Sequence, residues 1–243
     1  MERQGLHGDI SIMQKLYYEY HLISSGAEKK VIRLEIDPGT LNRIVDHKEP
    51  LPDWTRLEAH QCSHCPLGKE EHPHCPVAGS LVGLVDHSDD FMSHDDIRME
   101  VYMPERMIAK DTTVQRAVSS MLGLLVATSS CPHTEFMKPM ARFHLPLASE
   151  EETIYRATSM YLLAQYFRRR QGQEYDMELQ GLVEIYRNLA IINRAMATRL
   201  REICSRDSTV NAVVLLDLFT KTLPGTIEDS LREIKYLFAP FMR

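Results

Sequence analysis

Between positions 29 and 37 apolar and polar side chains alternate strictly. Val31, Arg33 and Glu35 share one face and Ile32, Leu34 and Ile36 the other, which is the two-residue period of a strand. The stretch KLYYEYHLI at 15–23 is rich in the same strand-forming residues. SSGAE between the two is a hairpin signal, with Gly26 free to take a positive φ. DPGT at 37–40 closes the second strand as a turn. SLVGLVD at 80–86 and DIRMEVYMP at 96–104 predict two further short strands, separated by the acidic HSDDFMSHDD.

From about Thr112 the period changes to that of a helix. TTVQRAVSSMLGLLVAT is apolar on most sides and predicts a buried helix. SEEETIYRATSMYLLAQYFRRR opens on a capping box, Ser149 to Glu152, and sets Ile154, Met160, Leu163 and Tyr166 close to one stripe. Its closing arginines, 168–170, complement the dipole at a helix end. In MELQGLVEIYRNLAIINRAMATRLREI the residues Leu179, Leu182, Ile185, Leu189, Ile192 and Met196 recur at spacings of three and four, as in a long amphipathic helix. Two more helices are predicted: one at 208–223, capped by Ser208 and stopped by Pro224 and Gly225, and one at 226–241, capped by Thr226 with Asp229 at its third position.

These elements make an α+β protein: a small antiparallel sheet with an irregular, Cys/His-rich metal-binding loop, followed by a C-terminal bundle of about five helices. The strand-rich part spans 1–103 and the helical part 104–243, together one compact unit. The loop, 47–79, is rich in proline and long for a compact domain, so it needs a staple to order it.

The staple is suggested by HQCSHCPLGKEEHPHCPVAG at 60–79, which holds three of the five cysteines and four of the eleven histidines. Cys62 and Cys65 form a C-x2-C pair, the spacing at which two thiolates chelate one ion from a tight turn. Cys75 follows, flanked by His72 and His74, and Cys131 and His133 lie just beyond the buried helix. Cys65, Cys75 and Cys131 are each followed by proline, which stiffens the chain beside the sulfur. The expected ligand set is Cys62, Cys65, Cys75 and Cys131, with His72, His74 and His133 as alternates. Zn2+ is the expected ion and an iron–sulfur cluster the alternative, since both accept four thiolates. A redox pair at Cys62 and Cys65 is a competing reading that lacks the thioredoxin βαβ context. Cys204, within the long helix, reads as a small buried hydrophobe.

Two other clusters carry less. His87, Asp89, Asp90, His94, Asp95 and Asp96 could bind a harder divalent ion, yet turns favour Asp and Ser for backbone reasons alone. His133, Glu135, Arg142 and His144 are polar groups in a proline-interrupted segment beside Cys131. They are the candidate catalytic residues of a small-molecule pocket. Methionines there would suit copper, but thirteen are scattered over the whole chain as core fillers.

An apolar fraction of 44% and a charged fraction of 26% are those of an ordinary globular protein. A net charge of −6 gives no footprint for nucleic acid. The start of the chain has no apolar core of a signal peptide, and no apolar run could span a bilayer, so a cytoplasmic location and no membrane partner are expected. There is no phosphate-binding loop, dinucleotide fingerprint or nucleophile elbow. The function expected is a metal-binding protein with an interaction or sensory role, binding a protein partner or a second copy of itself. The alternative is a metal-dependent or cluster-dependent enzyme.

Overall fold

The structure is a computed structural model that describes residues 16–24, 28–45, 50–85, 93–203, 210–211, 213–214, 229 and 231–242. Its sheet has five antiparallel strands, β1 (Leu16–Ile23), β2 (Lys30–Ile36), β3 (Arg43–Ile44), β4 (Asp96–Tyr102) and β5 (Met107–Thr113), in the order β3-β2-β1-β4-β5. Alternation in the sequence sets the register. Tyr18 faces Leu34 and Leu16 faces Ile36 across β1 and β2, and Tyr20 faces Val101 across β1 and β4, all with buried side chains. The opposite face carries charge, with Arg33 between Glu19 and Glu35 and Arg98 between Glu100 and Asp111. The turn after β2 is ordered by Asp37, whose carboxylate accepts from the N–H groups of Gly39 and Thr40. Gly26 lies outside the described residues.

The helices cover the inner face: α1 (Pro76–Val85), α2 (Val114–Ala127), α3 (Lys138–Arg142), α4 (Glu150–Arg170) and α5 (Gln180–Ile203). A single hydrophobic cluster runs from Leu16 and Tyr20 on the sheet through Met121 and Leu122 on α2 to Leu182 and Leu200 on α5. Among the described residues no helix is long and apolar enough to cross a membrane.

Four expectations are corrected. Of the stretch 80–86, expected to be a strand, Asp86 lies outside the described residues and residues 80–85 belong to α1. Pro76 opens it, and Val77, Ala78, Leu81 and Leu84 are buried at helical spacing, a pattern hidden by a run that is apolar nearly throughout. In sequence, the acidic stretch therefore follows a helix rather than a strand, and its residues up to 92 lie outside the described residues. Strand β5 was not foreseen, because MIAKDTT has no alternation, lying at the sheet's edge with no fully buried residue.

Along α4 the buried stripe is Ile154, Ala157, Thr158, Tyr161 and Gln165, whereas Leu163 and Tyr166 are exposed. Small residues let the neighbouring chain approach closely there, so the largest apolar side chains were the wrong guide. The capping box of Ser149 and Glu152 is present in both directions. Finally, residues 235–242 form a 3-10 helix rather than the end of an α-helix, with Pro240 inside it. The stretch expected as a helix at 208–223 lies almost wholly outside the described residues, as does Cys204.

The α4–α5 junction is close-packed around Asp176. Its carboxylate accepts from the Tyr161 hydroxyl and the Gly181 N–H, both at 2.8 Å, and from the Glu178 N–H. A Cβ on Gly181 would collide with the Tyr161 hydroxyl and meet its ring carbons at 3.0 and 3.3 Å. Gly181→Ala should therefore cost about 1–3 kcal/mol, read as a lower denaturant midpoint with unchanged slope.

Candidate metal centre

The segment before α1 is held at its neck by backbone. A 3-10 turn, Asp53–Thr55, leads into an isolated antiparallel bridge between Arg56 and His74. The Leu57 N–H donates to Pro73 O at 2.9 Å and the Cys75 N–H to Thr55 O at 2.8 Å. Thr55 Oγ1 also lies 2.7 Å from Nδ1 of His74.

Within the neck, the Cys65 N–H donates to Cys62 O at 3.0 Å, so residues 62–65 form the tight turn that the C-x2-C spacing implies. Cys75 immediately precedes α1: its carbonyl accepts the helix's first bond from Gly79, and Pro76 takes the first helical position, where proline is favoured. Cys131 follows the end of α2 through Ser130, which has φ 65, a left-handed turn that reverses the chain. The carbonyl of Cys131 then accepts from the backbone and the hydroxyl of Thr134. Two of the three Cys-Pro pairs thus mark the start of a helix or turn that aims a thiol.

All four thiols are free and line one small cavity. Its apolar walls include Leu57, Leu67, Val77 and Ile192, and its polar ones are Gln61, His133 and Arg199. As placed, among the described residues no three His, Cys, Asp or Glu side chains form a group that could hold a metal ion. Burial keeps the Cys62 and Cys131 thiols protonated in the absence of an ion. It pushes Cys62 up to about 12 and Cys131 up to about 11, and the neighbouring sulfurs reinforce the shift.

Arg199 was not foreseen. It is 2% exposed, and its Nη1 donates to Trp54 O and Arg56 O, both at 2.7 Å, while Nη2 donates to Leu57 O at 3.1 Å. Its Nε is buried without a partner. The signal was present in the sequence: Arg199 follows Ile192 by seven residues and Met196 by three, a cation set inside an apolar stripe.

Of the alternate ligands, only His133 reaches the cavity wall. Its Nε2 donates to His64 O at 2.9 Å, and its ring stacks on His64 at 4.0 Å. His72 is exposed, and His74 is engaged by Thr55. The candidate catalytic residues do not converge. Glu135 lies 3.5 Å from Lys138, and Arg142 lies 3.9 Å from Glu105. His144 lines a separate cavity of about 680 Å³ between α2, α3, α4 and α5, with Arg156, Tyr186 and Asn193 also in its wall. Of the acidic cluster, His87, Asp89 and Asp90 lie outside the described residues. Asp95 accepts the Val114 N–H, and Asp96 begins β4.

Nε2 of His144 lies 2.8 Å from the Tyr20 hydroxyl, and burial, aided by the positive charge of Arg156, holds the imidazole down to about 3. A depressed histidine favours the fold in its neutral form. The stability it contributes is complete above the ordinary pKa of about 6.5 and is lost as pH falls towards 3. Wild-type melting temperature should therefore drop more steeply between pH 7 and pH 4 than that of His144→Gln, which cannot titrate. Equal slopes would show that the ring is not held neutral.

No curated protein and no solved structure matches the chain. A family model does match, over residues 16–239, and so includes every strand, all four clustered cysteines and Arg199. The chain belongs to the family described as Domain of unknown function (DUF6901).

Proposed function

We propose that this is a metal-binding protein whose centre, zinc or an iron–sulfur cluster, is held by Cys62, Cys65, Cys75 and Cys131. The observation that carries the reading is the convergence of four free thiols, three from the loop and one from beyond α2, on one cavity. Packing alone gives no reason for four cysteines to meet around a space, whereas a bound centre needs such an arrangement. Metal binding would displace the protons of the Cys62 and Cys131 thiols, which burial otherwise retains.

With four protein ligands the centre is closed, which suits a structural or sensory role rather than catalysis at the metal. The protein acts in this reading as an interaction or regulatory protein of the cytoplasm, where reducing conditions keep such thiols free. A protein partner or a second copy is supported by Leu163, Tyr166 and Phe167, each more than half exposed on α4. The acidic balance of the chain disfavours nucleic acid.

A second reading, a metal- or cluster-dependent enzyme, draws on the larger cavity. Its size is that of a small-molecule site, and it combines apolar walls from Leu124, Met140 and Leu189 with the polar groups of His144, Arg156 and Tyr186. The segment 131–144 joins the two places, with Cys131 at one end and His144 at the other.

The test is the metal content of full-length protein purified without oxygen. Wild type should carry one centre per chain. Each of Cys62→Ser, Cys65→Ser, Cys75→Ser and Cys131→Ser should lose most of it, while His72→Ala should retain it. Wild type without metal, or retention in all four serine variants, would overturn the reading.

A further inference from the structure

The cavity between α2, α3, α4 and α5 owes its depth to α2. Along that helix Ser119, Ser120, Gly123 and Ala127 recur at helical spacing in its wall, none of them large enough to fill the space. At Gly123 the space is open, since a Cβ there would have no neighbour within 4 Å. A glycine in mid-helix is unfavourable in itself, so helix formation does not call for one at this position. At about 680 Å³ the cavity is far larger than the gaps of a packed core and falls within the roughly 300–1,000 Å³ of sites that enclose a small molecule.

The charges around it are few. Arg116 and Glu150 are exposed, at the mouth, and opposite in sign. Arg156 is half-buried in the wall. Its Nη2 donates to Met140 O at 3.1 Å and to Phe143 O at 2.6 Å, bonds that fix the guanidinium without neutralising it. Among the described residues no carboxylate lies within ion-pair distance of Arg156, and its Nε and Nη1 have no protein acceptor. His144 adds no charge at neutral pH, because burial holds its imidazole neutral. The interior thus sets one cation without a counter-charge against apolar walls from Leu124, Met140 and Leu189. An anionic oxygen at the guanidinium would offset the cost of that burial, whereas a second negative charge on the same ligand would have no match inside.

We propose that this cavity binds an organic monocarboxylate with an apolar body, the carboxylate accepting from Arg156 and the body lying along Gly123 and Leu124 of α2. The proposal deepens the small-molecule reading of the cavity and needs no metal, so it stands or falls apart from the thiol centre.

The experiment titrates the full chain, as purified and at neutral pH, with octanoate, 1-octanol and octylamine, which share a chain length and differ in charge. Calorimetry should show one octanoate per chain, bound about tenfold more tightly than 1-octanol, with octylamine weaker still. No octanoate binding at millimolar concentration, or octanoate no tighter than the alcohol or the amine, would overturn the proposal. Arg156→Lys should keep part of the preference for octanoate over 1-octanol, and Arg156→Gln should reduce it to about threefold or less.

Gly123→Leu tests the place independently of charge. It fills the cavity and removes an unfavourable helical glycine, so its melting temperature should be at or above that of wild type while octanoate binding is lost. Full binding by this folded variant would put the ligand elsewhere and overturn the site. Metal content is measured on the same samples. Octanoate bound by wild type that carries no metal would overturn the thiol centre alone, and metal bound without octanoate would overturn the carboxylate site alone.

Discussion

A guanidinium sunk between a helix and three backbone carbonyls holds the irregular segment against the helical half. Removing a cation from water is expensive, and hydrogen bonds to neutral carbonyls recover only part of the cost. Arg199 makes three such bonds, to the carbonyls of Trp54, Arg56 and Leu57. Their positions set the neck of the loop, the neck sets the turn at 62–65 and the start of α1, and through these the thiols receive their directions. The fourth thiol is aimed independently, by the reversal at Ser130. The cavity is therefore the meeting point of two rigid supports rather than a feature of the loop alone.

The sheet matters to this arrangement through its inward tyrosines. The Tyr18 hydroxyl donates to the carbonyls of Ala141 and Arg142, and Tyr20 pairs with His144. Those bonds fix the far end of the segment that begins at Cys131. Both ends of 131–144 are thus tied to the core, one beside the thiols and one at the larger cavity.

Much of this was legible where one physical signal dominates. Strict alternation identified β2 and its buried face, the capping box located the start of α4, and the cysteine spacings identified the four thiols that line one space. The pattern is ambiguous where signals compete or vanish. A nearly unbroken apolar run does not separate a short helix from a strand, so α1 was misread. An edge strand has no burial pattern to show, so β5 was missed. In α4 the close-packed face is made by Ala157 and Thr158, residues whose smallness is the point and which no ranking by hydrophobicity selects. Arg199 was overlooked because an arginine on a helix is usually solvated. Only its phase relative to Ile192 and Met196 marked it as different.

The bridge between Arg56 and His74 also bears on how the chain would respond to loss of a centre. Bringing the ends of a loop together carries an entropy cost that grows only slowly with its length, and here backbone bonds at the neck already meet that cost. In the proposed metal-binding reading, loss of the centre would loosen the inner residues, 58–72, while the backbone bonds at the neck stay paired. Local opening would then be confined to one surface segment with its own low free energy, well below that of global unfolding. In that reading, such a segment would change its exposed face in response to a small inorganic cue without putting the stability of the whole fold at risk.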